Sequence, residues 1–269
     1  MKRLSKVLLV KPGSKIRLSS MDASDTHGME KAKAEALLEK DRDRLSVLQY
    51  LLYAEGRRAL LVVLQGIDAA GKDGTIRHVM SGLNPQGVRV TSFKAPEGAE
   101  KRHDYLWRVH NAAPEWGQMG IFNRSHYEDV LIVRVHDLVP KAVWSKRYRQ
   151  INDFERMLSE NRVRIVKFLL YIDKEEQAKR FRQRIDDPTK NWKFSPDDLK
   201  EREYWDRYIE AYEAMLEECS TDEAPWYVIP ANRKWFRNLA VAQILRDEME
   251  AMDLKSPEPV ADLSHITFE

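Results

Sequence analysis

Gly66, four intervening residues, then Gly71 and Lys72 stand at the spacing where a backbone turns its N–H groups inward around an anion and a lysine adds a point charge to the same oxygens. Gly66, Ala69, Ala70, Gly71, Lys72, Asp73 and Gly74 are therefore the candidate phosphate cradle. Loops of this kind carry a Ser or Thr directly after the lysine as a magnesium ligand, and here that position is Asp73. Either the match is only a glycine turn between a strand and a helix, or the metal is held by another group. Asp68 inside the loop is a suitable hard-cation ligand, while a carboxylate at Asp73 suits the first turn of a helix whatever the chemistry.

Further chemistry-bearing residues follow. Asn123-Arg124-Ser125-His126-Tyr127-Glu128-Asp129 comes directly after the apolar Met119 to Phe122. In a phosphate-loop protein the residue closing that strand is normally an Asp reaching the metal, and Asn123 replaces it. An amide oxygen ligates magnesium weakly or orients a metal-bound water, which throws more of the work onto Asp68 and the substrate phosphates. Arg124 is placed to neutralise developing phosphoryl charge, or else forms a structural ion pair with Glu128 or Asp129. Phosphoryl transfer needs positioning more than a strong base, so His126 reads as structural or orienting. Lys94 follows the second strand and either faces the site or is a solvated surface lysine. The basic, proline-broken stretch with Arg184, Lys190 and Lys193 lies between two helices and reads either as a mobile lid over an anion or as an exposed turn.

These residues need a scaffold, and the sequence supplies one. Leu60 to Leu64 is a short continuous apolar run, the pattern of a strand buried on both faces. Val88 to Phe93, Met119 to Phe122, Ile165 to Ile172 and Trp226 to Ile229 supply further strands, with helical segments between them. Leucines and alanines at helical spacing from Met29 to Tyr53 predict a long amphipathic helix that covers the sheet or a partner subunit. Glu100 to His110 and Val143 to Leu158 also read as helices. Residues 1–28 read as an arm laid on the surface, 29–254 as a single kinase-like domain, and 255–269 as a tail without periodicity.

Over 269 residues, 45 Lys and Arg face 43 Asp and Glu, a balance that argues against a nucleic-acid binder but leaves room for a local basic channel. The single cysteine, Cys219, excludes an intramolecular disulfide and a cysteine metal cluster, and fits a reducing cytoplasm. The four-residue apolar run near the amino terminus is short for a signal peptide, and nothing later has the length of a membrane span.

Taken in order, GIDAAGKDGT, IFNRSHYEDV, RQRIDDPTKNWKFS, YWDRYIEAYEAML and APWYVIPANRKW resemble the polyphosphate kinase 2 family, from the long amino-terminal helix to the final helix. The resemblance implies an α/β fold: a P-loop, thymidylate-kinase-like three-layer sandwich with a central five-stranded parallel sheet and a helical lid at about 180–197. It implies reversible transfer of the terminal phosphate of inorganic polyphosphate to a nucleotide with Mg2+, or Mn2+ in its place. Carried over, Asp68 is the metal-binding carboxylate, Lys72 contacts the transferring phosphate, and Arg124 and Arg184 neutralise charge, with Asn123 completing the catalytic set. Many family members have Asp at the strand end and an Asn-Arg pair further along, where this chain has Asn123 and Glu128-Asp129. That variant resembles the subgroup accepting both nucleoside mono- and diphosphates, and it makes Arg124, Glu128 and Asp129 the candidate nucleotide-binding residues. The implied partners are polyphosphate, adenine nucleotides with guanine nucleotides as further acceptors, and further copies of the chain in a dimer or tetramer. No membrane and no nucleic acid are among them, and the implied location is the cytoplasm. An ATP-dependent nucleoside or nucleotide kinase and a non-catalytic phosphate-binding protein are the competing readings. A polyphosphate, with about one charge per residue, suits cations spread over loop, strand end and lid rather than gathered in one patch.

Overall fold

The computed structural model describes residues 3–262. Six strands form one sheet: β1 (Leu9–Val10), β2 (Ala59–Gln65), β3 (Val88–Ser92), β4 (Met119–Asn123), β5 (Val163–Tyr171) and β6 (Trp226–Pro230). Their order across the sheet is β1-β6-β5-β2-β4-β3. The strand carrying the glycine loop, β2, lies between β4 and β5, and all of its residues are buried, as the continuous apolar run requires. Leu61 and Val63 point into a core shared with the helices Arg147–Glu160 and Trp205–Cys219. Leu60, Val62 and Leu64 point to the opposite face, against Lys31–Glu55 and Lys234–Ala251. Both faces are covered by helices, giving the expected three-layer sandwich.

The five expected strands are present and mutually parallel. The sixth is a departure from the five-stranded sheet, because β1 comes from the amino-terminal arm and runs antiparallel to β6, Leu9 facing Tyr227. Far from lying on the surface, the arm buries Leu4, Leu8, Val10 and Leu18. Its charges and serines mask this in the sequence, since the buried residues are spread over a helical turn at Leu4–Val7, the two-residue β1 and a 3-10 turn at Leu18–Ser20, with no sustained period. The expected helix at Glu100 to His110 is also interrupted. A reciprocal Glu97–Glu100 cap closes a 3-10 turn at Gly98–Arg102, and Asp104 Oδ1 accepts from Leu106 N at 2.9 Å, leaving a short helix at Trp107–Asn111.

The long helix Lys31–Glu55 ends at Gly56, whose φ of +61° supplies a left-handed cap. It packs along Lys234–Ala251, which is buried on nearly every side because it lies between the long helix and the sheet. Two ion pairs cross this contact, Arg246 to Asp41 and Arg44 to Glu250. The parallel strands all deliver their carboxyl ends to one edge, where the loops after β2, β3, β4, β5 and β6 meet. Of the tail, residues 263–269 lie outside the described residues.

Candidate active site

The glycine loop leaves β2 through Gly66, at φ +151°, where a Cβ would come within 2.7 Å of the Leu170 carbonyl oxygen. Only glycine lets β2 turn this close to β5. Ala69 and Gly71 are also at positive φ, and the helix Lys72–Val79 starts immediately after them. Lys72 is buried and its Nζ donates to the Gly66 carbonyl at 2.6 Å, folding the charge back across the mouth of the loop. Burial first, and Arg124 second, lower its pKa from the ordinary lysine value.

Behind the loop stand two arginines that the sequence reading left out of the site. Arg180, on the helix Lys174–Asp186, donates through Nη1 to the Ala69 and Ala70 carbonyls, both at 2.9 Å, and through Nη2 to Ala231 and Asn232. Arg237, on the closing helix, reaches the Ala70 carbonyl at 3.4 Å. A trans peptide points its C=O and N–H in opposite directions, so holding Ala70 O from behind aims the Gly71 N–H forward into the cradle.

Asp68, Arg124 and Glu128 converge in front of the loop. Arg124 follows β4 at φ +61°, uncommon for a residue with a side chain, and its Nη2 donates to Asp68 Oδ1 at 2.7 Å. Burial works to raise the Asp68 pKa, but Lys72 and then Arg124 hold it below the usual carboxylate value. Glu128 behaves oppositely: burial raises its pKa and Arg124 and Lys72 oppose this only in part. Gln65, at the end of β2, ties the strand-end segment down. With its amide oxygen toward Ser125 it accepts from Oγ at 3.0 Å and from N at 3.2 Å, while its nitrogen donates to Glu128 Oε1 at 3.0 Å.

Arg124 is thus paired, but with Asp68 rather than with Glu128 or Asp129. Asp129 turns away from Glu128 and is held by Arg147 at 2.8 Å, its pKa raised to about 6 by burial against the pull of that arginine. Asn123 donates from Nδ2 to Asp73 Oδ1 at 2.8 Å, and Asp73 also faces Lys193 Nζ at 3.6 Å. The Asp73 side chain therefore links strand end and lid, leaving its backbone as the part that borders the cradle. In the lid, Arg184 lies 3.7 Å from Asp198 and donates to the Lys193 carbonyl at 3.2 Å; Lys190 pairs with Asp187. Lys94 is exposed, and Arg108 binds its carbonyl.

His126 is buried, its Nε2 3.1 Å from Glu155 Oε1, and serves the fold as its sequence context suggested. Glu155 also pairs with Lys167 of β5 and accepts from Tyr127 Oη at 2.9 Å. A lysine inside an apolar strand was the available sequence signal for this network, since a buried ammonium needs a partner. A comparable signal marked Arg237, the one charge between Trp235 and Leu245 in the closing helix.

Among the described residues, no group of three or more His, Cys, Asp or Glu side chains converges as a metal cage. Mg2+ needs no such cage: it is commonly held by one or two carboxylates together with waters and substrate phosphates, and the ionised Asp68 suits that role. Among the described residues, no helix is long and apolar enough to cross a membrane.

Comparison with known proteins places this geometry. The family model described as Polyphosphate kinase 2 matches residues 28–257. An AMP/ADP-polyphosphate phosphotransferase of Meiothermus ruber is 52% identical over 263 residues, covering 97% of this chain and 98% of the relative. An ADP-polyphosphate phosphotransferase of Rhodopseudomonas palustris is 48% identical, covering 96% and 94%. The crystal structure of Polyphosphate Kinase 2 from Arthrobacter aurescens TC1 superimposes with a TM-score of 0.94 at 46% identity, covering 97% of this chain and 94% of that one. A match of this length to the family model, with relatives this similar along their whole length, means that the chain belongs to the polyphosphate kinase 2 family.

Proposed function

We propose that this protein transfers the terminal phosphoryl group of inorganic polyphosphate to nucleoside mono- and diphosphates, AMP to ADP and ADP to ATP, reversibly. The observation that carries the reading is the arrangement of Lys72 and Arg124 around Asp68 at the mouth of the glycine loop, with Arg184 and Lys193 in the lid segment above it. The names of the Meiothermus and Rhodopseudomonas relatives support the donor and both acceptors.

The chain's end enters between loop and lid. Backbone N–H groups from Gly66 to Gly74 take its oxygens, and Lys72 leaves the Gly66 carbonyl to bind the phosphoryl group being transferred. The acceptor's phosphate oxygen is ionised near neutral pH and needs no strong base. It attacks the terminal phosphorus in line; the bond from that phosphorus to the bridging oxygen breaks, and the donor leaves one residue shorter. Arg124 and Arg184 stabilise the charge on the oxygens in flight. Mg2+, or Mn2+ in its place, bound through Asp68 and the substrate phosphates supplies further charge neutralisation. Glu128, beside Arg124, borders the acceptor, whereas Asp129 serves through Arg147 to hold the segment. Lys94 and Lys190 attract the anionic chain from the rim. We assign the protein to the cytoplasm, in keeping with a lone buried cysteine whose pKa is raised by burial. The exposed Val47, Tyr50 and Tyr53 on the long helix support a homo-oligomer, a dimer or tetramer.

The test is magnesium-dependent formation of ADP from AMP, and of ATP from ADP, with polyphosphate as donor. Both products should form and both should vanish in Lys72→Ala. Transfer with ATP alone as donor would make the protein an ATP-dependent kinase, and tight polyphosphate binding without turnover would make it a binding protein.

A further inference from the structure

Arg237 is 2% exposed, and among the described residues no carboxylate lies within ion-pair distance of it. Its Nε and Nη2 both donate to Asn238 Oδ1, at 3.1 and 2.8 Å, and Nη1 reaches the Ala70 carbonyl. The charge acting on it has the same sign, Arg180, which unlike Arg237 has a carboxylate partner in Glu176 at 2.8 Å. Burial and that neighbour push the Arg237 pKa down to about 9.

Its position relative to the loop is unusual. A Cβ at Gly71 would fall 1.9 Å from Arg237 Nη1, and one at Gly74 would fall 3.3 Å from Nη2. The guanidinium therefore occupies the space left by two missing side chains, directly behind the cradle. A buried charge without a partner is costly, and one in low dielectric acts over longer range than one in water.

We propose that Arg237 is a positioning residue for the donor, its unbalanced charge being balanced, across one layer of backbone, by the polyphosphate that fills the front of the loop. The inference rests on the proposed polyphosphate reaction and adds to it a residue that touches no substrate. Lys72 and Arg124 meet the anion directly; Arg237 holds the loop's amides in place and sets the potential behind them. Part of the affinity for the donor is thus stored as electrostatic strain in the empty protein.

The experiment compares wild type with Arg237→Gln, which keeps hydrogen-bond donors and removes the charge, with Arg237→Met, and with Arg237→Lys. Thermal unfolding is measured with Mg2+, with and without polyphosphate and without nucleotide, beside steady-state kinetics. For Arg237→Gln and Arg237→Met we expect a polyphosphate KM raised about tenfold or more, as loss of one charge at effective dielectric about 20 implies. The AMP and ADP KM values should stay within about twofold, since those acceptors do not face Arg237. The unfolding midpoint without ligand should hold or rise while the polyphosphate-induced increase shrinks, and Arg237→Lys should restore most of that increase. A purely structural arginine would instead lower the midpoint without ligand and leave both the induced increase and the KM unchanged, which would overturn the inference. Should Arg237→Met fail to fold, Arg237→Gln carries the same comparison. Absence of any polyphosphate-induced increase in wild type would overturn the proposed donor, and the inference with it; a full increase in the charge-free variants would overturn the inference alone.

Discussion

Replacing Lys167 by Met should convert a stabilising carboxylate into a destabilising one and reverse its pH dependence. Lys167 is fully buried in β5, paired with Glu155 and donating to Tyr127 Oη at 2.7 Å and the Cys219 carbonyl at 2.8 Å. Methionine fills a similar volume but leaves Glu155, 1% exposed, with only His126 and Tyr127 as partners. Removing one member of a buried pair costs about 3–5 kcal/mol. At about 2–4 °C per kcal/mol for a chain of comparable size, the midpoint near neutral pH should fall by about 6–20 °C. In the wild type, burial works to raise the Glu155 pKa, but Lys167 and then His126 hold it below the ordinary value. Its contribution is therefore present above the unfolded pKa of about 4.3 and is lost as pH falls. In the variant burial prevails and the pKa rises above that value, so the folded state is favoured by protonation and loses stability as pH increases. Thermal unfolding from about pH 8 to about pH 5 should show the gap between the two proteins narrowing steadily. A gap that stays constant over that range, or one below about 1 kcal/mol at neutral pH, would refute the reasoning.

Arg124→Lys keeps a charge but loses the planar fork facing Asp68, and steady-state assays with polyphosphate should show kcat lowered by about a hundredfold or more. Because burial holds the Glu128 pKa above the ordinary carboxylate value, loss of its proton should appear in the kcat/KM profile above that value; Glu128→Gln should flatten this feature while leaving the rest of the curve in place. Gly71→Ala sets a Cβ at φ +106° against Arg237, so polyphosphate should no longer raise the unfolding midpoint, and the midpoint itself should drop by the equivalent of about 1–3 kcal/mol.

The parallel sheet was readable because four of its strands are largely apolar runs and the fifth, Val88–Ser92, alternates, each ending in a glycine, proline or polar cluster, and the loop because its glycines and lysine stand at a fixed short spacing. Lys72, Asp68 and Arg124, all named from the sequence, are brought together at the loop, though Arg124 pairs with Asp68 rather than Glu128 or Asp129. What stayed hidden depends on contacts between distant segments. Arg180 and Arg237 reach the loop from more than a hundred residues away; Arg180 lies in a run of charges like any surface arginine, and although Arg237 is the one charge between Trp235 and Leu245, nothing in the sequence tells which glycines it backs. Asp129 carries the same charge as Glu128, yet the turn of the 3-10 segment His126–Asp129 sends the two carboxylates in different directions. Asn123 was read for its amide oxygen, whereas it is the nitrogen whose partner the structure reveals, on Asp73. The arm hid its strand because two residues are too few to display alternation.

That strand has a consequence for how the protein is made. Leu9 and Val10 leave the ribosome more than two hundred residues ahead of their partners, Tyr227 and Trp226. The sheet cannot acquire its sixth strand until Trp226 and Tyr227 have emerged, so the arm must wait, unpaired, while the whole parallel sheet is made. In the finished molecule it covers the outer edge of β6, where Val228 N donates to the Leu8 carbonyl at 3.0 Å and Ser220 Oγ to the Val10 carbonyl at 2.6 Å. Without the arm, β6 would present open backbone groups next to the fully buried side chains of Trp226 and Ile229. Such an edge is a template for joining one chain to the next. The amino-terminal segment thus acts as a stopper against aggregation, and a bulky fusion placed close to Leu9 would compete with the step that closes the sheet.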